Sequence, residues 1–103
     1  MSKDDKIIVH VDADLEPILP RFMELRYDDI DMINELLESG DYETIRRIGH
    51  SMKGAGGGYG FDHISVIGKG IEDAAKDKEV SKIRQKVNQL SNYLERVEVI
   101  FDE

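Results

Sequence analysis

The chain has 103 residues, carries 14 Lys and Arg against 22 Asp and Glu for a formal net charge of −8, and has no cysteine. That length supports one domain with one modest core, and the missing cysteine excludes disulfide scaffolds, thiol chemistry and Cys-ligated zinc. The acidic balance repels nucleic-acid backbones and anionic membranes, and no apolar run nears the ~20 residues that span a bilayer. The polar start Met1–Lys6 does not read as a signal peptide, so a soluble cytoplasmic monomer is the expectation.

In chain order, Ile7-Ile8-Val9-His10-Val11 has strand-like composition. With no second strand-like run read elsewhere, residues 1–13 are expected to form an extended arm that lies on the domain or pairs with another copy. Residues 14–103 read as all-α: an antiparallel up-down four-helix bundle preceded by a short N-terminal helix. Asp12 or Asp14 can cap that short helix, and Pro17 suits its start. Pro20 to Ser39 forms the first long helix, stopped by Gly40. At ~100° per residue Phe22, Leu25, Met32, Ile33, Leu36 and Leu37 share a face. Met23, Tyr27 and Ile30 widen the apolar arc to roughly twice the ~100° of a surface helix. The helix is then either buried on two sides or leaves Met23, Tyr27 and Ile30 as an apolar patch for a partner.

Asp41 is the N-cap of the next helix, which carries His50. Ile45, Ile48, Met52, Ala55, Gly56 and Tyr59 fall within an arc of roughly 100° and form its core stripe. His50 falls almost opposite, with Glu43, Arg46, Arg47, Lys53, Gly54 and Gly57 on its side. A glycine inside a helix costs about 1 kcal/mol relative to alanine, so Gly49, Gly54, Gly56 and Gly57 need a reason. Gly56 on the stripe suits close helix packing. Gly54 and Gly57 on the exposed face suit the approach of another molecule. This helix should fail between Gly57 and Gly60.

Asp62 is the expected cap of the third long helix, whose stripe is Ile64, Ile67, Gly68, Ile71, Ala74 and Ala75, with Gly68 and Gly70 marking tight contacts. His63 and His10 read as incidental. After the turn Lys76–Glu79, the last helix carries a seam of Val80, Ile83, Val87, Leu90, Leu94, Val97 and Phe101.

Common site motifs fail. The glycine run lacks the Gly-Lys-Ser/Thr ending and preceding strand of a phosphate loop, and no glycines take the G-x-G-x-x-G spacing. No histidine pair has i, i+4 spacing for zinc. Asp12, Asp14 and Glu16 begin like a calcium loop, but Pro17 stands where that loop needs glycine and Met23 where it needs glutamate. As a general base His50 has no evident carboxylate to orient it and no pocket. What remains is nucleophilic chemistry. A neutral imidazole has one free ring nitrogen, flanking cations favour the neutral ring, and the same cations stabilise a transferring phosphoryl group.

His50-Ser51-Met52-Lys53-Gly54, with Gly60-Phe61 following and Ile64, Ile67 and Ile71-Glu72 beyond, resembles the H-x-x-K-G…G-[FA] signature of histidine-containing phosphotransfer (HPt) domains. The resemblance implies a phosphorelay intermediate without kinase activity of its own, phosphorylated on His50 through Nε2. It implies that Lys53 contacts the phosphoryl group, with Arg46 or Arg47 adding charge, that Gly54 clears space for a partner, and that Gly60 and Phe61 are structural. The implied partners are receiver domains of response regulators or a hybrid histidine kinase. No cofactor of its own is implied; Mg²⁺ comes with the receiver. A similar motif occurs in the phosphoacceptor domain of chemotaxis-type histidine kinases, where an ATP-binding domain would phosphorylate His50 directly. A histidine-kinase dimerisation domain fits less well, because there an acidic residue and then a proline normally follow the histidine. A reading of another class is a non-phosphorylated helical adaptor that binds through Met23, Tyr27 and Ile30.

Overall fold

A computed structural model describes residues 5–103; the first four residues of the expected arm lie outside the described residues. Four α-helices form the body: α1 (Leu19–Ser39), α2 (Tyr42–Tyr59), α3 (Asp62–Lys76) and α4 (Val80–Arg96). They close a ring in which α1 packs on α2, α2 on α3, α3 on α4 and α4 on α1. A short 3₁₀ helix, Ala13–Ile18, precedes them, with the Asp12 carboxylate accepting from the Asp14 N–H at 2.8 Å.

The helix ends follow from local chemistry. Pro20 occupies the first turn of α1, where its missing N–H leaves nothing unsatisfied, and Gly40 ends the helix at φ +72°. The Asp41 side chain accepts from the Thr44 N–H at 3.1 Å and from its hydroxyl at 2.7 Å. Gly56, Gly57 and Gly58 all stay helical, and α2 stops at Gly60, φ +86°, whose N–H bonds back to Gly56 and Gly57 carbonyls. The expectation for α3 needs correction: Phe61, not Asp62, is the N-cap residue, and no side chain caps it. Phe61 is instead held by burial, its ring 5.3 Å from that of Phe22.

The two ends of the chain differ from expectation. Val97 and Phe101 do not continue the helical seam. α4 ends at Arg96, and Val97–Asp102 forms a strand, β2, that pairs in parallel with β1, Ile7–Asp12. Val97-Glu98-Val99-Ile100-Phe101 is the second strand-like run: β-branched, aromatic and alternating. Pairing gives each strand's backbone the hydrogen bonds it would lack alone. Val11 is buried in the bundle core, so β1 is tied into the domain.

α1 also sits differently in rotation. Phe22, Ile33 and Leu37 are buried as expected, but Leu25 and Met32 are exposed. Arg26 takes their place inside and is only 7% exposed. Its guanidinium lies 4.7 Å from the centre of the Phe22 ring and its Nε donates to Asp29 at 3.1 Å, so a stacked and ion-paired arginine replaces an aliphatic side chain. Met23 and Ile30 are half-buried against the core. Among the described residues no helix is long and apolar enough to cross a membrane.

Candidate functional site

The site begins with how closely α2 and α3 approach. A Cβ on Gly49 would meet the Glu72 backbone nitrogen at 2.6 Å, and one on Gly68 would meet the Lys53 backbone nitrogen at 2.6 Å. A Cβ on Gly56 would stand 2.6 Å from the Ser65 nitrogen. Three positions thus admit no side chain, and the helices touch backbone to backbone there. The Ser65 hydroxyl donates to the Lys53 carbonyl at 2.9 Å and ties the two together. Gly70, also expected at a tight contact, faces only the flexible Lys86 side chain.

Glu72 projects from α3 into the space this contact leaves. His50 is 65% exposed on α2, and its Nδ1 lies 2.8 Å from Glu72 Oε2. A carboxylate only accepts, so Nδ1 carries the proton; in the neutral ring Nε2 then holds the lone pair. The other Glu72 oxygen lies 3.3 Å from Lys53 Nζ. Glu72, with a side chain 16% exposed, therefore bridges histidine and lysine. Burial pushes its carboxyl up, but hydrogen bonds from His50 and Lys53 outweigh this and hold it below the ordinary glutamate value of 4.5.

Glu72 corrects the expectation that His50 has no carboxylate to orient it. The sequence marked Glu72 only as part of the family resemblance; nothing in its spacing from His50, 22 positions earlier, marks a contact.

The flanking cations divide. Lys53 is beside His50 through Glu72. Arg46 instead turns back one helical turn and forms a two-point contact with Glu43, at 2.5 and 3.1 Å, and Arg47 lies 3.5 Å from the same carboxylate. Arg46 still lines a charged hollow of about 360 Å³ between α2 and α3, together with Lys53, Lys69, Lys76, Glu72 and Asp73. Lys69 and Lys76 are contributors that helix phasing on α2 alone does not reveal.

The rest of the expected site separates by side of the bundle. A Cβ at Gly54 or Gly58 would meet nothing within 4 Å, and one at Gly57 only the Ser65 hydroxyl at 3.7 Å, so the surface beside His50 is bare. Met23 and Tyr27 instead line a cleft with Leu94 and β2, and Ile30 borders a hollow with α4 residues Arg84 and Val87. They lie on the α4 side of α1, away from the α2–α3 groove. By helical phase the exposed Leu25 and Met32 lie on the α2 side of α1.

A nucleophilic ring nitrogen presented to solvent, with its far nitrogen fixed by a carboxylate and a lysine beside it, is equipped for group transfer to and from a docked partner. The Hpt domain family model matches residues 18–99, and the chain belongs to that family. Domains of this family act in phosphotransfer within two-component signalling, are modules without kinase activity, and work with receiver domains and kinases. No curated protein sequence and no solved structure matches the chain.

Proposed function

We propose that this domain is a phosphorelay intermediate in which His50 Nε2 takes a phosphoryl group from a receiver-domain aspartyl phosphate and returns it to the aspartate of another receiver. Nε2 attacks phosphorus, the N–P bond forms, and the P–O bond to the aspartate breaks with that carboxylate leaving. The ring loses no proton. Its positive charge in the phosphorylated form is shared with the Glu72 carboxylate through the Nδ1–H bond. In the return step an aspartate oxygen attacks phosphorus and the neutral imidazole leaves.

Lys53 is placed to meet the phosphoryl oxygens, with the cations of the α2–α3 hollow behind it. Arg46 and Arg47 contribute field rather than contact while Glu43 holds them. Mg²⁺ belongs to the receiver's acidic pocket and supplies charge neutralisation when that domain docks. The bare surface at Gly54, Gly57 and Gly58 receives the receiver, and Leu25 and Met32 flank it with apolar area.

The observation that carries this reading is the His50–Glu72 hydrogen bond on an exposed, glycine-cleared helix face. Incubation with a phosphorylated receiver tests it. Wild type is expected to acquire acid-labile label and His50→Gln none; label on the variant, or none on wild type from any receiver, would reject it.

A further inference from the structure

On the other side of the bundle lies a cleft of about 410 Å³ that the transfer chemistry does not use. Met23 and Tyr27 of α1, Leu94 of α4, and Val97, Val99 and Phe101 of β2 line it, with Glu16 at its rim. Tyr27 is 45% exposed. No residue of β1 lines the cleft, so it opens along the side of β2 turned away from β1. β2 pairs with β1 alone, and its other edge has no strand partner among the described residues. Unpaired strand edges are templates for another strand.

The charge of the two-stranded end of the domain, with Glu16 lining the cleft itself, says what kind of strand. Segments 5–16 and 95–103 hold Asp5, Asp12, Asp14, Glu16, Glu95, Glu98, Asp102 and Glu103, which are eight acidic residues, against the two bases Lys6 and Arg96. The difference is −6 of the chain's net −8, and all eight acids are exposed. A second copy would bring the same field and be repelled, and so would an anionic membrane or a nucleic acid.

We infer that β2 and this cleft form a second docking surface, separate from His50, for an extended segment of a partner protein that alternates apolar with Lys or Arg residues. Added to the free edge of β2, such a segment makes main-chain hydrogen bonds and points every second side chain into the cleft between Tyr27 and Phe101. The intervening side chains fall on the outer face of the ribbon. There Glu98 and Asp102 are exposed on either side of the exposed Ile100, and Asp102 lies 3.1 Å from His10. Opposite charges across adjacent strands are favourable at that spacing. A domain with such a surface can be held by a partner while the His50 face stays free for receivers.

The test is selection of a displayed library of random short peptides on the full chain, followed by titration of the enriched peptides into isotopically labelled protein. Enriched peptides should alternate apolar and basic residues. They should shift the amides of Val97–Asp102 and of the Met23–Tyr27 turn, and leave those of His50 to Gly54 unmoved. Tyr27→Ser and, independently, the exposed charge reversal Glu98→Lys should each weaken binding by about tenfold. The inference is overturned by an absence of enriched peptides, by peptides without basic residues, by shifts centred on α2, or by affinities that neither variant changes. Self-association of the free protein through β2 would overturn it in favour of a second copy. None of these outcomes depends on phosphotransfer to His50.

Discussion

Gly49 of α2 and Gly68 of α3 are reciprocal: a Cβ on either would stand 2.8 Å from the carbonyl oxygen of the other. This contact sets the spacing at which Glu72 reaches both His50 and Lys53. It is a packing feature with a chemical consequence, because it brings Glu72 to 2.8 Å from His50 and 3.3 Å from Lys53.

Gly68→Ala is therefore expected to destabilise the fold by about 1–3 kcal/mol through overpacking. It should also slow phosphotransfer under conditions where the variant is still folded, by moving Glu72 off His50. Thermal unfolding and transfer kinetics on the same sample check both. An alanine variant of normal stability would show that the helices can separate freely.

Glu72→Gln keeps a hydrogen-bond acceptor for Nδ1–H but removes the charge that faces the phosphorylated ring. Transfer to His50 should slow by roughly tenfold or more, since a charge-assisted bond is lost in the phosphorylated state that carries positive charge. Glu72→Ala should be slower still, because the ring is no longer held in one tautomer. Rapid-quench transfer from a phosphorylated receiver measures both, and equal rates for wild type and Gln would remove the electrostatic part of the role.

Gly54→Leu separates stability from docking. Position 54 opens onto empty space, and leucine is favoured over glycine in a helix interior by about 0.8 kcal/mol or slightly less. The variant should melt no lower than wild type, yet transfer poorly because the side chain stands where the receiver approaches. A variant that transfers normally would place the docking face elsewhere.

The acid limb of stability also has a defined sign. Hydrogen bonds from Thr44 hold the Asp41 carboxyl below its ordinary 3.8, a hydrogen bond from Arg46 holds Glu43 below 4.5, and Glu72 is held below 4.5 against its own burial. A depressed native pKa contributes stability above the unfolded value that is lost as pH falls through the native one. Asp29 runs the other way: burial raises it despite Arg26, so its contribution is present at low pH and lost as pH rises through its native value. Stability should thus change little near neutrality and fall below about pH 4.5, where the three depressed carboxylates protonate. Asp41→Asn should flatten part of that fall in urea titrations read at successive pH values.

Helix phasing made His50, Lys53 and the open glycines legible, since a period of 3.6 residues fixes which positions share a face. Most of the core of α2, α3 and α4 followed from the same rule up to Leu94, with the buried Gly49 and Tyr93 the exceptions. Two kinds of feature did not. Glu72 meets His50 only through the α2–α3 contact, a long-range fact that no local period carries. Val97–Asp102 reads as a heptad continuation through Val97 and Phe101 and as a strand through its alternation, and only pairing with β1 decides between them. Arg26 was hidden for a similar reason. A charged residue on the inner face is compatible with burial only once the Phe22 ring and Asp29 are there to receive it.

We propose that Glu72 fixes the proton on His50 Nδ1 and leaves Nε2 to carry the phosphoryl group. Nitrogen-15 NMR of the phosphorylated domain, charged by a phosphorylated receiver, reads the site of attachment through phosphorus–nitrogen coupling. Coupling is expected at Nε2 of His50, with Nδ1 still protonated. Coupling at Nδ1, or a phosphoryl group on any other residue, would contradict it.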